Sequence, residues 1–171
     1  MARLSLPRRT VSFGIAAFGF VPLRAVASEE VVDLEWSDLV PKGETSLPAE
    51  LQGLVQHDQG ALMSQQPQSS GVRTDWNGRT VRLPGYMVPL DFDGTGVTAF
   101  ILVPYVGACV HVPPPPANQL VLVTTERPYE TDGLFEPVTV TGMFGTAAAS
   151  TELADVGYAL SADNIETYKA R

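Results

Sequence analysis

The only cysteine of the chain, Cys109, lies two residues before one of its two histidines, His111. Residues i and i+2 of an extended backbone point to the same face, so a thiolate and an imidazole would project together. Sulfur and imidazole nitrogen are ligands typical of zinc and copper sites. The spacing therefore predicts half of a metal site, with zinc favoured over copper. The remaining ligands would come from His57, Asp58 or a water molecule.

Simpler roles exist for the same residues. Cysteine is among the most buried residue types, so Cys109 could be an inert packing residue or, as a third alternative, a redox or covalent group. His111 could be an ordinary hydrogen-bonded histidine, and His57 a solvated loop residue. Enzyme templates fit poorly, because a Cys/His pair at i+2 splays apart whereas a nucleophile and its base must converge. The chain also has no GxSxG, HExxH, phosphate-loop or CxxC motif.

Four prolines follow the pair and predict a stiff polyproline II exit, at Pro113, Pro114, Pro115 and Pro116. Their simplest role is a rigid connector, and the alternative is a ledge on which a partner binds. We expect Asn118 and Gln119 to hydrogen-bond the backbone of this loop, or alternatively to orient His111. The prolines together with Asn118 and Gln119 form the candidate binding loop.

The first residues have the pattern of an export signal. Three arginines precede an apolar stretch from Val11 to Leu23, and an A-x-A site follows at Ala25–Ala27. This stretch is too short to cross a bilayer, so the pattern predicts a signal peptide over residues 1–27 and a periplasmic protein. The pair Arg8-Arg9 also resembles a twin-arginine signal, and either export route is consistent with the sequence.

The net negative charge of the chain argues against anionic partners. Removal of residues 1–27 would take four arginines and no acidic residue from the 11 basic and 19 acidic residues, changing the net charge from −8 to −12. Such a surface repels nucleic acid and anionic lipid. A single cysteine in an oxidising compartment cannot form an internal disulfide, which again leaves burial, ligation or reactivity for Cys109.

The elements that would position the candidate loop are mostly strands. Residues 28–75 are expected to form an N-terminal extension, with a short helix from Pro48 to Gln56 and then a loop or mobile linker rich in Gln, Ser and Gly. Residues 76–171 are expected to form a β domain with a helix-like insertion around Thr146–Ala154 and a short helix or coil over Asp163–Lys169. Its predicted strands are Arg79–Leu90, Val97–Pro104, Leu120–Thr125, Val138–Phe144 and Tyr158–Ala162.

Five short strands with glycine-rich bends favour a small OB-like Greek-key barrel, with a β-sandwich as the alternative. The dipeptide Pro84-Gly85 would supply the bend that the long first strand of such a barrel needs. The loop with Cys109 and His111 then follows the strand Val97–Pro104, at a strand end where functional residues are often held.

The chain also resembles a bacterial secreted domain of unknown function over nearly all of residues 28–171. The resemblance is carried by five motifs, Trp36-Ser37-Asp38-Leu39-Val40-Pro41, Gly85-Tyr86-Met87-Val88-Pro89-Leu90, Phe100-Ile101-Leu102-Val103-Pro104-Tyr105, Gly107-Ala108-Cys109-Val110-His111-Val112-Pro113-Pro114-Pro115-Pro116-Ala117-Asn118-Gln119 and Val138-Thr139-Val140-Thr141-Gly142. It implies a periplasmic protein of a family whose genes often lie beside an ABC transporter of the lipoprotein-release or macrolide-export type. Two functions follow as expectations, a metal-handling protein or an adaptor for such a transporter.

Overall fold

The computed structural model describes residues 30–43, 66–110 and 114–168. These residues form six strands, β1 Val32–Asp33, β2 Arg79–Asp93, β3 Gly96–Val103, β4 Val121–Glu130, β5 Pro137–Ser150 and β6 Asp155–Thr167. Two short 3-10 helices accompany them, at Trp36–Leu39 and Ala117–Gln119. The predicted signal peptide and the predicted helix Pro48–Gln56 lie outside the described residues. No helix in the described part of the chain is long and apolar enough to cross a membrane.

Strands β2 to β6 close into a barrel in the order β2, β3, β4, β6, β5 and back to β2. Neighbours in this ring are antiparallel except β4 and β6, which run parallel. The prediction of a mainly β, OB-like Greek-key barrel is therefore confirmed. The short β1 adds to the first half of β2, with Val32 opposite Val81.

The long strand β2 is the element that closes the ring. Its first half pairs with β5 and its second half with β3, and Tyr86 belongs to both ladders, opposite Pro137 and Val103. A Cβ atom at Gly85 would lie only 2.9 Å from a Leu102 side-chain carbon and from the Val103 carbonyl oxygen. Glycine therefore permits the close approach of β3 at the bend that the sequence predicted.

The barrel interior holds one apolar side chain from every second position of each strand, as the period of a half-buried strand requires. Burial of this surface is the main stabilising term of the fold. The interior residues include Val81, Leu83, Met87, Phe100, Leu102, Val121, Val123, Val138, Val140, Phe144, Tyr158 and Leu160.

Two local predictions are wrong. The helix-like insertion at Thr146–Ala154 is instead the end of β5 and the short turn that precedes β6. The terminal segment from Asp163 is not helix or coil, because β6 continues to Thr167 opposite Val138. Alanine favours helix in isolation, but pairing across this long hairpin overrides that propensity.

Candidate functional site

Cys109 lies in a second apolar cluster, outside the barrel wall. Residues 107–110 and 114–119, which we call the signature segment, follow β3. The first of these residues pack on the outer face of β2 and β3. Ala108 and Cys109 are fully buried against Val88, Ile101 and Val103. Strand β3 is consequently buried on both faces, which explains its continuous apolar sequence.

Burial determines the chemistry of the thiol. Desolvation raises the pKa of Cys109 to about 12, because the apolar surroundings disfavour the thiolate. The pKa of the neighbouring Tyr105 rises to about 12, first from desolvation and then from the nearby thiolate charge. Burial therefore favours the protonated form of the Cys109 thiol at neutral pH.

The backbone at the thiol turns through the left-handed region. The φ angles are 93° at Gly107 and 67° at Cys109, and the Val110 amide donates to the Gly107 carbonyl at 3.3 Å. A left-handed residue other than glycine costs roughly 1–2 kcal/mol. The turn aims the Cys109 side chain back into the apolar cluster, so packing of the thiol offsets part of this cost.

The predicted metal ligands are not brought together by the described residues. His111, His57 and Asp58 lie outside the described ranges, so the Cys109–His111 pairing stays a prediction. Within residues 30–43, 66–110 and 114–168, no three His, Cys, Asp or Glu side chains are grouped to hold a metal ion. Cys109 itself is fully buried among apolar side chains, and zinc or copper ligation by it stays a prediction.

The second half of the signature segment is fixed by hydrogen bonds to distant parts of the chain. Pro114 and Pro115 are buried, whereas Pro113 lies outside the described residues and Pro116 is half-buried. The side-chain amide nitrogen of Asn118 (Nδ2) donates to the Gly71 carbonyl at 3.0 Å and to the Ser70 hydroxyl at 3.3 Å.

Gln119 makes a similar long-range contact. Its amide nitrogen donates to the Trp36 carbonyl at 2.9 Å and to the Asn118 carbonyl at 3.1 Å. Only the bond to the Asn118 carbonyl lies within the loop, as the sequence predicted. The two amides mainly connect the signature segment to residues 30–43 and 66–78.

A wider network ties these segments to the barrel. The Trp36 indole donates to the Pro84 carbonyl at 2.8 Å, and the Tyr158 hydroxyl donates to the Leu39 carbonyl at 2.6 Å. The Arg73 amide donates to the Tyr158 hydroxyl at 2.7 Å. Sequence reasoning missed the roles of Arg73 and Tyr158, because the Tyr158 hydroxyl bonds only to backbone groups far away in the chain, one of them the Arg73 amide.

An apolar surface surrounds Tyr86, where three segments meet. Tyr86, Tyr105 and Phe135 are half-buried and pack on the cluster that contains Cys109. Val106 follows Tyr105 and is 59% exposed, and Leu134 precedes Phe135 and is 50% exposed. The Phe135 amide donates to the Met87 carbonyl at 2.9 Å, which holds the loop before β5 against β2.

We call this surface the rim patch, formed by Tyr86, Tyr105, Val106, Leu134 and Phe135. Aromatic residues are enriched where proteins bind other proteins, and exposed apolar patches mark such sites.

Residues 36–167 match the model of a family described as protein of unknown function, DUF3299. The chain belongs to the DUF3299 family. It is similar to the crystal structure of a DUF3299 family protein from Pseudomonas aeruginosa PAO1, with 37% sequence identity and a TM-score of 0.71. That similarity covers 83% of this chain and 99% of the other. No functionally curated protein matches the sequence.

The region matched to DUF3299 contains the structural network almost completely. It begins at Trp36, whose indole and carbonyl both take part, and it extends through the signature segment to the end of β6. The likeness therefore concerns the whole barrel and its covering segments.

Proposed function

We propose that this DUF3299 protein is a non-catalytic binding module of the bacterial envelope that recognises a protein partner through the rim patch. The observation that carries the proposal is the exposure of Val106 and Leu134 beside the half-buried aromatic residues at the end of β3. A soluble domain normally keeps such a surface only where something covers it.

The rigidity of the surface supports the same role. The signature segment is held by the buried Cys109 side chain and by the amides of Asn118 and Gln119. A patch on such a support loses little conformational freedom when a partner binds, so more of the contact energy appears as affinity. Its aromatic anchors are of the types that dominate interface energies.

The partner is proposed from the resemblance described above. An exported protein of this family would meet an envelope protein, and an ABC transporter of the lipoprotein-release or macrolide-export type is the partner that the resemblance implies. The acidic chain, with a formal net charge of −8, suits a partner whose surface around the apolar contact is basic.

Site-specific photocrosslinking in cells tests the proposal. A benzophenone amino acid replaces Val106 in one variant and Phe92 in the control. Both side chains are exposed, 59% and 54%, and Phe92 lies roughly 20 Å along β2 from Tyr86. We expect one discrete adduct with a membrane protein from the Val106 position, and its loss when Leu134→Asp is added. No adduct, or the same adducts from both positions, would contradict the proposal.

The metal-handling function, with Cys109 and His111 as zinc or copper ligands, is the competing hypothesis. Its test is the metal content of protein purified from the periplasm, with and without Cys109→Ser and His111→Ala. We expect no stoichiometric zinc or copper in the wild type. Stoichiometric metal that both substitutions remove would replace the binding-module proposal by metal handling.

A further inference from the structure

A groove lies beside the last residues of β5, away from the rim patch. Its volume is about 560 Å³, within the range of roughly 300–1,000 Å³ that is typical of ligand sites. The strand residues Ala147, Ala148 and Ala149 form one wall, and Ser69 and Val72 form the opposite wall. Ala117 and Gly157 also line it.

The end of β5, which lines the groove, has an unpaired edge on its side away from β6. Among the described residues, the ladder between β2 and β5 ends at Arg79 and Phe144. The Asn77 side chain then acts as a cap, since its oxygen accepts from the Thr146 amide at 2.8 Å and its nitrogen donates to the Thr146 hydroxyl at 3.2 Å. Beyond this cap, no described strand pairs with residues 147–150 on the side away from β6.

This edge carries neither the charged side chains nor the prolines that commonly discourage pairing. Natural edge strands carry lysine, proline or inward-pointing charges, whereas residues 145–150 read Gly-Thr-Ala-Ala-Ala-Ser. A bulge lies here as well, because the register moves from Thr146 opposite Tyr158 to Ala149 opposite Val156. Bulges re-aim edge groups and are common next to binding sites.

The opposite wall is fixed to the barrel. The Gln66 side chain donates to the Asp155 carbonyl at 2.8 Å and accepts from the Asp155 amide at 2.9 Å. It also donates to the Pro115 carbonyl at 2.9 Å. A Cβ atom at position 157 would lie 2.8 Å from the Ala117 carbonyl oxygen and 2.8 Å from Val72 Cγ1, so Gly157 permits the close approach of these residues to β6.

We propose that this groove binds an extended, basic peptide segment of another protein, which adds to β5 as a strand at residues 147–150. The edge would supply backbone hydrogen bonds, and the small alanine side chains leave room for the larger side chains of the peptide. Of the described residues that line the groove, Asp155 alone is charged, which favours a basic ligand.

A second copy of the chain fits the groove less well. Edge-to-edge pairing of two copies would bring together acidic chains, each with a formal net charge of −8.

Fluorescence anisotropy with a defined probe tests the proposal. The probe is a short fluorescein-labelled peptide in which valine and lysine alternate. One twin peptide carries N-methyl groups on alternate amides, and the other has glutamate in place of lysine. We expect saturable binding of the probe, at least about tenfold weaker binding of each twin, and slower hydrogen exchange of the residue 147–150 amides with the probe bound. No saturable binding up to about 1 mM, or equal binding of the N-methylated twin, overturns the proposal.

Two matched variants place the site on the protein. Ala148→Lys puts a charge on the exposed edge, and Thr124→Lys adds the same charge at an exposed position of β4. We expect Ala148→Lys to weaken probe binding at least about tenfold and Thr124→Lys to leave it within about twofold. Equal weakening of probe binding by the two variants overturns the assignment of the site to residues 147–150. If Ala148→Lys fails to fold, the comparison of the probe with its N-methylated twin decides whether the peptide binds as a strand.

Two further outcomes identify a different occupant. A synthetic peptide of residues 44–65 that binds more tightly than the probe would assign the groove to this chain. A dimer of the wild-type chain that Ala148→Lys dissociates would assign it to a second copy. Either result overturns the proposal, and neither bears on the crosslinking test at Val106.

Discussion

The reactivity of Cys109 toward a disulfide reagent separates a structural thiol from an available metal ligand. At pH 8, a thiol with an ordinary pKa near 9 is about one-tenth ionised. With the pKa raised to about 12, the ionised fraction is roughly a thousandfold smaller. The more basic thiolate is intrinsically more nucleophilic, with a Brønsted coefficient of about 0.4–0.5, which offsets roughly twentyfold of this loss.

Ionisation alone therefore predicts labelling about fiftyfold slower than in the unfolded chain. Full burial of Cys109 adds to this factor, because the reagent must wait for the signature segment to open. The assay follows the absorbance of released thionitrobenzoate from DTNB at pH 8, with and without guanidinium chloride. A variant combining Cys109→Ala with Thr124→Cys supplies an exposed thiol as the control.

Two results would refute this reasoning. Labelling of native Cys109 within about tenfold of the unfolded rate would mean that the thiol is accessible and its pKa ordinary. Acceleration of labelling by EDTA would mean that a metal ion had protected the sulfur, as the metal-handling hypothesis requires. We expect slow labelling that EDTA does not change.

Two further predictions concern stability. Since unfolded Cys109 ionises near pH 9 and the native thiol near 12, the native state keeps more protons, and stability should fall between these pH values by up to about 1.4 kcal/mol per unit. Urea unfolding from pH 8 to 11 checks this, and an unchanged slope in Cys109→Ala contradicts it. Tyr158→Phe should cost about 2–3 kcal/mol, because it leaves the Leu39 carbonyl and the Arg73 amide without their hydroxyl partner. Calorimetry should show a lower Tm for Tyr158→Phe than for the control Tyr168→Phe, whose side chain is exposed. Equal Tm values would contradict this prediction.

The strands of the barrel could be predicted because their signals are local. The Asn77-Gly78 dipeptide predicted a turn, and Gly78 indeed has a φ of 72° at the start of β2. The unbroken apolar run of β3 predicted a buried strand, and the structure shows that the interior and the signature segment cover its two faces. Such signals depend on side-chain pattern and glycine geometry, which the sequence displays directly.

The candidate site was less predictable because its contacts are long-range. Gln119 and Trp36 are 83 positions apart, and Tyr158 and Leu39 are 119 apart. Their acceptors are backbone carbonyls, which every residue possesses, so no residue type marks the partner. The prediction for the end of β5 was wrong for a related reason. Its alanines favour a helix locally, whereas pairing with β6 makes this segment a strand.

Several residues that attract attention in the sequence, and that the structure describes, have their chemistry occupied within the fold. The Cys109 thiol is packed, the amides of Asn118 and Gln119 donate to backbone carbonyls, and two of the prolines are buried. The groups left for a partner belong to ordinary types, the aliphatic side chains of Val106 and Leu134 and the backbone edge of β5. A distinctive motif can thus mark the part of a chain that stiffens the fold, while the recognition that we propose depends on plain residues outside that motif.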